Sequence, residues 1–469
     1  MITVELIEKI KTSEWDELKR FVLFRFPRMR KDVVNGLDAL RDNLTESVSR
    51  KDIHHWLYPE TAFNDKTIRY LLTDMNKVIF EYFSHKQLTK QDSKQQSLLL
   101  LELSERKCTR AFAKTYNQEL IKVEKQGKGD SDALYHRYEL HALKTKEELT
   151  SGKRSSDAFE ESSLFLDHYF VAKKLQISAE KINLNFILRK EWNDPFFKTI
   201  LEQIDTGLFK DSAYIRLYRL IIESLTDPQN EAVFERLKKE IPKLIGNISE
   251  SELSDLYQYL LNYCIRRINA GRLVFQNELL TVYQSALNDG ALFTNGSISQ
   301  WDFKNVVTIS LRTGNVDYAR EFIHSYKQRL PAAQRINALA YNLANLHFSE
   351  KTFHSTIKQL QKVDLDDVFY RLDARSILLK SYYELDDTDA LHYHATAFRS
   401  FLNRNRKISD QQRKLYLNLI KHTLSLSRFS GEISNLKSIQ QRITKNPNVA
   451  DLSWLESKIT EIHPNKPSS

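Results

Sequence analysis

Apolar residues along most of this chain recur three or four positions apart, the spacing that lays them on one stripe of an α-helix. Ile68, Leu71, Leu72, Met75, Val78, Ile79, Tyr82 and Phe83 keep that spacing and predict a long helix beginning near Asn64. Trp15, Leu18, Phe21, Val22 and Leu23 predict a shorter one behind Ser13, an N-cap with Asp16 three positions on, and Pro27 ends it. Val33, Val34, Leu37, Leu40 and Leu44 mark a helix from about Arg30 to Asn43, and Ser49 with Asp52 repeats the capping pattern before Ile53, Trp56 and Leu57. A single stripe from about Asp92 to Gln126, through Leu98, Leu99, Leu101, Cys108, Phe112, Tyr116 and Leu120, predicts about 50 Å of unbroken helix.

Loops at 127–130 and 151–156 precede helices expected near Asp132 to Glu148, Asp157 to Lys174 and Ala179 to Trp192. Their aromatics, among them Tyr135, Tyr138, Phe165 and Tyr169, sit at helical spacing and point to core. Paired helices follow, Asp211 to Ser224 with Glu231 to Ile245, and Glu252 to Asn269 with Leu273 to Leu287, before an insertion from Gly290 to Ser299. From 301 to 401 a phase returns about every 34 to 37 residues, at Gly314 to Ala319, Phe348 to Phe353 and Leu385 to Ala390. Each period reads as a helical hairpin. One hairpin cannot bury its apolar faces alone, so neighbours stack into an extended body whose usual use is binding.

Only 11 glycines and 9 prolines punctuate 469 residues, too few for the tight turns of a β-rich fold or the glycine-bearing loops of nucleotide-binding α/β folds. With 41% hydrophobic and 28% charged residues the chain can build a sizeable core. The net charge of +9 is a small excess in a mixed population of 70 basic and 61 acidic residues, most of which read as solvated helix faces. The densest early basic spot is Arg25, Arg28, Arg30 and Lys31, which fits either phosphate contact or a solvated corner between helices. A short helix, a turn and a long helix bearing Lys66, Arg69 and Lys77 follow the order of a DNA reader, although that long helix is apolar around much of its surface.

No basic segment followed by an apolar stretch opens the chain and no run is long enough to span a bilayer, so a cytoplasmic protein with no membrane association is expected. Cys108 and Cys264 lie far apart in apolar helical contexts and read as small buried thiols. The histidines show no metal-ligand spacing: His392 and His394 point to different sides of a helix, and His136 and His141 miss the i,i+4 pattern. No Gly-x-Ser-x-Gly elbow or phosphate-cradling glycine loop occurs. No catalytic residue, metal or cofactor is expected, and the chain reads as non-enzymatic.

The hairpins from Trp301 to Phe401 resemble the tetratricopeptide repeat family, with Ala319, Ala340, Ala344, Ala374, Ala390 and Ala397 where two helices approach closely. The resemblance covers about 100 residues and extends irregularly over perhaps 250. It departs in the first helix, where the family's tryptophan and glycine are absent from most copies; Pro331 alone sits near the usual inter-repeat proline. The expected fold is all-α, an α-solenoid of antiparallel helix hairpins with an N-terminal helical domain, divided as 1–90, 91–210 and 211–469. The resemblance implies a concave groove for a peptide or partner helix, faced by Lys304, Thr308, Arg335, Asn342, Asn345, Arg375 and Tyr382. A protein-binding scaffold is the expected function; the alternative is a nucleic-acid-associated regulator using the basic N-terminal helices.

Overall fold

The computed structural model describes residues 1–44, 48–125, 129–152, 157–188, 194–361, 368–428, 438, 440–444 and 448–462. It is all-α apart from one pair of two-residue strands among the described residues. Two compact units, 1–174 and 175–469, divide the chain, so residue 90 is interior to the first and residue 210 to the second.

The first unit contains α1 (Ile2–Glu8), α2 (Trp15–Arg25), α3 (Lys31–Asp42), α4 (Arg50–Leu57), α5 (Asp65–Thr89), α6 (Asp92–Glu105), α7 (Thr109–Lys125) and α8 (Ser131–Thr150). The α5 stripe forms its centre, with Ile68, Leu71, Met75, Val78, Ile79 and Tyr82 buried against Val33, Leu37 and Leu40 of α3 and Leu18 of α2. Gly36 lets α3 come close: a β-carbon there would lie 3.1 Å from Met75 Sδ. Asn64 caps α5 by accepting from the Lys66 and Thr67 amides, and Ser49 and Asp52 form a reciprocal capping box on α4.

Five expectations fail in instructive ways. Ser13 is not a cap; it lies in a 3₁₀ turn, Thr12–Glu14, closed by the Glu14 carboxylate on the Lys11 amide. Leu23 is exposed rather than part of the buried stripe. The helix expected from 92 to 126 is two helices, α6 and α7, parted at Lys107, whose φ is +58°. The Cys108 amide reaches back to the Leu103 carbonyl at 2.8 Å there, and Cys108 is exposed while Cys264 is buried. Conversely, the two helices expected from 157 onwards are one continuous α9 (Asp157–Leu188), within which the two units divide; Trp192 lies outside the described residues.

The second unit continues with α10 (Phe197–Asp205), α11 (Ala213–Thr226), α12 (Glu231–Glu240), α13 (Glu250–Asn269), α14 (Phe275–Asn288), α15 (Gln300–Arg312), α16 (Val316–Tyr326), α17 (Ala332–Ser349), α18 (Phe353–Leu360), α19 (Val368–Glu384), α20 (Thr388–Arg404) and α21 (Asp410–Ser427). A further helix spans Leu452–Ile462. The insertion before α15 is a β-hairpin, Phe293–Thr294 against Ser297–Ile298, turned at Asn295 and Gly296 with φ of +51° and +76°.

From α13 onward each helix packs on its successor, and α15, α17, α19 and α21 also pack in order on one another. The turn inside each period is the same. Gly314, Lys351 and Asp386 all adopt left-handed φ, and the next amide in each case reaches back five residues, Asn315 to Ser310, Thr352 to His347 and Asp387 to Tyr382. Tyr341, Ala344, Leu360, Tyr370, Ala374 and Ile377 fill the space among α17, α18 and α19, and Leu391, Ala395, Phe398, Leu419 and Leu455 continue the core beyond it. No helix among the described residues is long and apolar enough to cross a membrane.

Candidate functional site

The α19 helix has two contrasting sides. Asp373, Ser376, Lys380 and Glu384 recur along one side at helical spacing. Asp373 pairs with Lys304 of α15 and accepts from the Tyr416 hydroxyl of α21 at 3.0 Å. Ser376 and Lys380 both donate to Asp451 Oδ2, at 2.6 and 2.8 Å. Glu384 accepts from Trp454 Nε1 at 2.7 Å and Lys458 Nζ at 2.8 Å, both on the Leu452–Ile462 helix. The chain's own polar groups therefore satisfy this face.

That arrangement redistributes the residues expected in one groove. Lys304 is enclosed by the Trp301, Tyr341 and Tyr370 rings at 5.8, 5.3 and 4.9 Å. Thr308, one turn further along α15, is half-buried. Arg335 ties down the approach to α17 by donating to the Leu330 and Gln328 carbonyls, at 2.9 and 3.0 Å from Nη2. Asn342 is fully buried and donates to the Ala338 carbonyl at 2.7 Å, and Asn345 is half-buried beside it on α17. Tyr382 packs its ring 5.6 Å from that of His394. Lys304, Arg335 and Asn342 thus make polar contacts within the chain.

Arg375 is the exception. With Arg371 it lies about half a turn around α19 from Asp373 and Lys380, where the helix lines an open cavity of about 810 Å³. Arg404 at the end of α20, followed by Arg406 and Lys407, completes a rim of five cations, and no carboxylate is among the described residues that line the cavity. The Arg375 guanidinium stacks 4.8 Å from the Phe401 ring and has no ion pair or hydrogen bond among the described residues. Burial, and then the neighbouring Arg371 charge, pull its pKa below the usual arginine value. Behind it the buried His394 ring hydrogen-bonds the Arg375 carbonyl at 2.9 Å through Nε2, fixing that turn of α19.

The four other cations of this rim escaped the sequence reading. Their signal was present in the contiguous Arg404-Asn405-Arg406-Lys407 and in the four-residue spacing of Arg371 and Arg375. Only the loop geometry at the end of α20 brings the two together.

The early basic spot is largely internally balanced. Arg25 pairs with Glu81 at 3.2 Å, and Arg30 with Asp32 at 3.1 Å and Asp74 at 3.5 Å, because the corner between α2 and α3 rests against α5. Arg28 and Lys31 are exposed. A second polar cluster joins Ser97, His136 and Glu119, three residue types of a hydrolase triad: Ser97 Oγ lies 3.4 Å from His136 Nδ1, and His136 Nε2 lies 3.1 Å from Glu119. Yet Ser97 is buried and its hydroxyl donates to Glu139 at 3.1 Å, so it is oriented away from the role of a nucleophile. A third cluster is a buried carboxylate: Glu252 accepts from the Tyr214 and Tyr218 hydroxyls at 2.7 and 2.5 Å and from Gln176 at 3.1 Å. No group of three or more metal-ligating side chains occurs among the described residues. In comparison with known proteins, no family model matches this chain and no curated protein matches it.

Proposed function

We propose that the second unit is a tetratricopeptide-like helical array and that the protein acts as a non-enzymatic scaffold, holding a partner protein through an exposed segment. The observation that carries this reading is the cavity between α19 and α20. It is open, it is lined by side chains of consecutive helices, and the Arg375 guanidinium within it has no ion pair among the described residues, unlike the charged groups on the opposite side of α19. The repeated left-handed turns at Gly314, Lys351 and Asp386 support the array. The mechanism is stoichiometric: apolar anchors supply affinity and charged groups set orientation.

Reconstitution tests it. A partner captured by the full chain is purified, recombined and weighed by analytical ultracentrifugation, and a complex of fixed stoichiometry is expected. Failure of every captured protein to form one removes the scaffold reading.

A further inference from the structure

We infer that the cavity between α13, the β-hairpin and the start of α15 takes the side chain of one lysine from the partner protein; the inference rests on the scaffold reading and names what that partner presents.

The cavity holds about 260 Å³, and every residue that lines it lies within the described stretch 194–361. The buried side chains of Leu261 and Ile298 form its floor, while Gln258, Thr294 and Ser299 are exposed at its mouth. The hairpin wall is held in place by the chain itself. Arg329 donates to the Gly296 carbonyl at 3.2 Å and stacks 5.4 Å from the Phe293 ring, which in turn packs 5.9 Å from that of Tyr326. A wall already in position spares a ligand the cost of ordering it.

Charge gives the first selection. Asp302 is the one charged residue among those that line the cavity. Burial pushes its carboxyl above the usual aspartate value, while the Ser299 hydroxyl, donating to Oδ2 at 2.6 Å, favours the ionised form. A carboxylate that has lost part of its water is stabilised by an incoming cation.

Hydrogen-bond geometry separates ammonium from guanidinium. Arginine's planar fork makes its two parallel bonds to both oxygens of a carboxylate, and Ser299 already holds Oδ2 of Asp302. An ammonium carries three donors that rotate to meet whatever oxygens are present. Here these are Oδ1 of Asp302, the hydroxyls of Ser254 and Ser297, and the amide oxygen of Gln258, whose nitrogen is turned to Asn262 at 3.0 Å.

Size separates a side chain from a cofactor, since ligand pockets commonly hold about 300 to 1,000 Å³ and this cavity falls short of that range. Leu261, Leu292 and Ile298 give it an apolar part. Lysine lays its methylene stem along such a surface while its head reaches polar groups.

The test uses the full chain with carbon-13-labelled leucine and isoleucine methyls, followed by NMR at Leu261, Leu292 and Ile298. The probes are n-butylammonium chloride, which is the lysine side chain without its backbone, n-butanol as its neutral counterpart and n-propylguanidinium chloride as that of arginine, all at constant ionic strength. n-Butylammonium is expected to shift the three signals saturably, binding at least fivefold tighter than n-butanol and at least twofold tighter than n-propylguanidinium. Asp302→Asn is expected to bring n-butylammonium and n-butanol to equal affinity. Ser297→Leu narrows the cavity without touching the α15 cap; it covers the case in which Asp302→Asn fails to fold and is expected to lose at least fivefold. In the reconstituted complex either variant is expected to weaken the partner at least threefold. The inference is overturned if n-butylammonium leaves the three signals unmoved at one tenth molar, if n-butanol binds as well, if n-propylguanidinium binds tighter, or if Asp302→Asn keeps the preference for the amine. A reconstituted complex that neither variant weakens, in a protein that does bind n-butylammonium, overturns the partner's lysine and leaves the scaffold standing.

Discussion

The Lys304 ammonium of α15 pairs with the Asp373 carboxylate of α19 inside three aromatic faces, so one ion pair joins two helices that are not consecutive. Lys304→Met keeps the side-chain volume and leaves Asp373 with only the Tyr416 hydroxyl among these partners. The expected loss is about 2 kcal/mol, below the value for a fully buried pair because Asp373 retains some solvent contact. Urea denaturation of Lys304→Met, Asp373→Asn and the double variant checks it. A double variant as costly as the two singles added together would show that the residues are not coupled.

His394 makes stability depend on pH. Burial, with the nearby Arg375 charge adding to it, holds its pKa at about 4 against the ordinary 6.5, even though its bond to the Arg375 carbonyl favours the charged ring. The unfolded chain therefore takes up this proton first. The contribution is complete above the ordinary value and is lost as pH falls towards 4, in all about 3 kcal/mol. Chemical denaturation of wild type and His394→Gln at several pH values between 7 and 4 is expected to show a shallower slope in the variant. Parallel slopes would assign the titration to other groups.

The turns at Lys351 and Asp386 hold non-glycine residues in the left-handed region, with φ of +59° and +54°. Lys351→Gly and Asp386→Gly are each expected to gain about 0.5 to 1 kcal/mol, the relief of β-carbon strain exceeding the entropy added to the unfolded chain. Gly314→Ala, at φ +77°, is expected to lose about 1 kcal/mol. Melting temperatures order the three variants against wild type, and a fall for both glycine variants would refute the strain.

The two thiols differ in reach. Cys264 is buried, and burial, with Glu278 adding to it, raises its pKa to about 12, whereas Cys108 is exposed at the break between α6 and α7. One equivalent of fast reaction with a chromogenic disulfide is expected in native protein and two in denaturant. Two fast equivalents without denaturant would show that the α13 core opens readily.

Periodicity made the helices legible because each buried stripe, as in α5, is written by residues three and four apart. It could not locate the break at Lys107, whose left-handed φ falls on a residue type that does not announce it, whereas the turns at Lys351 and Asp386 fall inside the repeat marks Phe348 to Phe353 and Leu385 to Ala390. The Asn295-Gly296 pair did carry the usual mark of a tight hairpin, inside what the repeat phase treated as an insertion. The site was harder. Lys304 and Arg375 both stood on expected groove positions, yet one is sealed in by aromatic rings and Asp373 while the other faces an open cavity. The difference comes from Tyr416 of α21, 43 residues from Asp373 in sequence, and from Asp451 in the segment 448–462.

Because α19 bears the cavity arginines on one side and the chain's own ion pairs on the other, occupancy and folding draw on the same helix. Any molecule that settles on Arg375 adds RT ln(1 + [L]/Kd) to the free energy of the folded state. A thermal-shift instrument thus becomes a screening tool for this protein: compounds can be ranked by how far they delay unfolding, without an assay for activity and without a label.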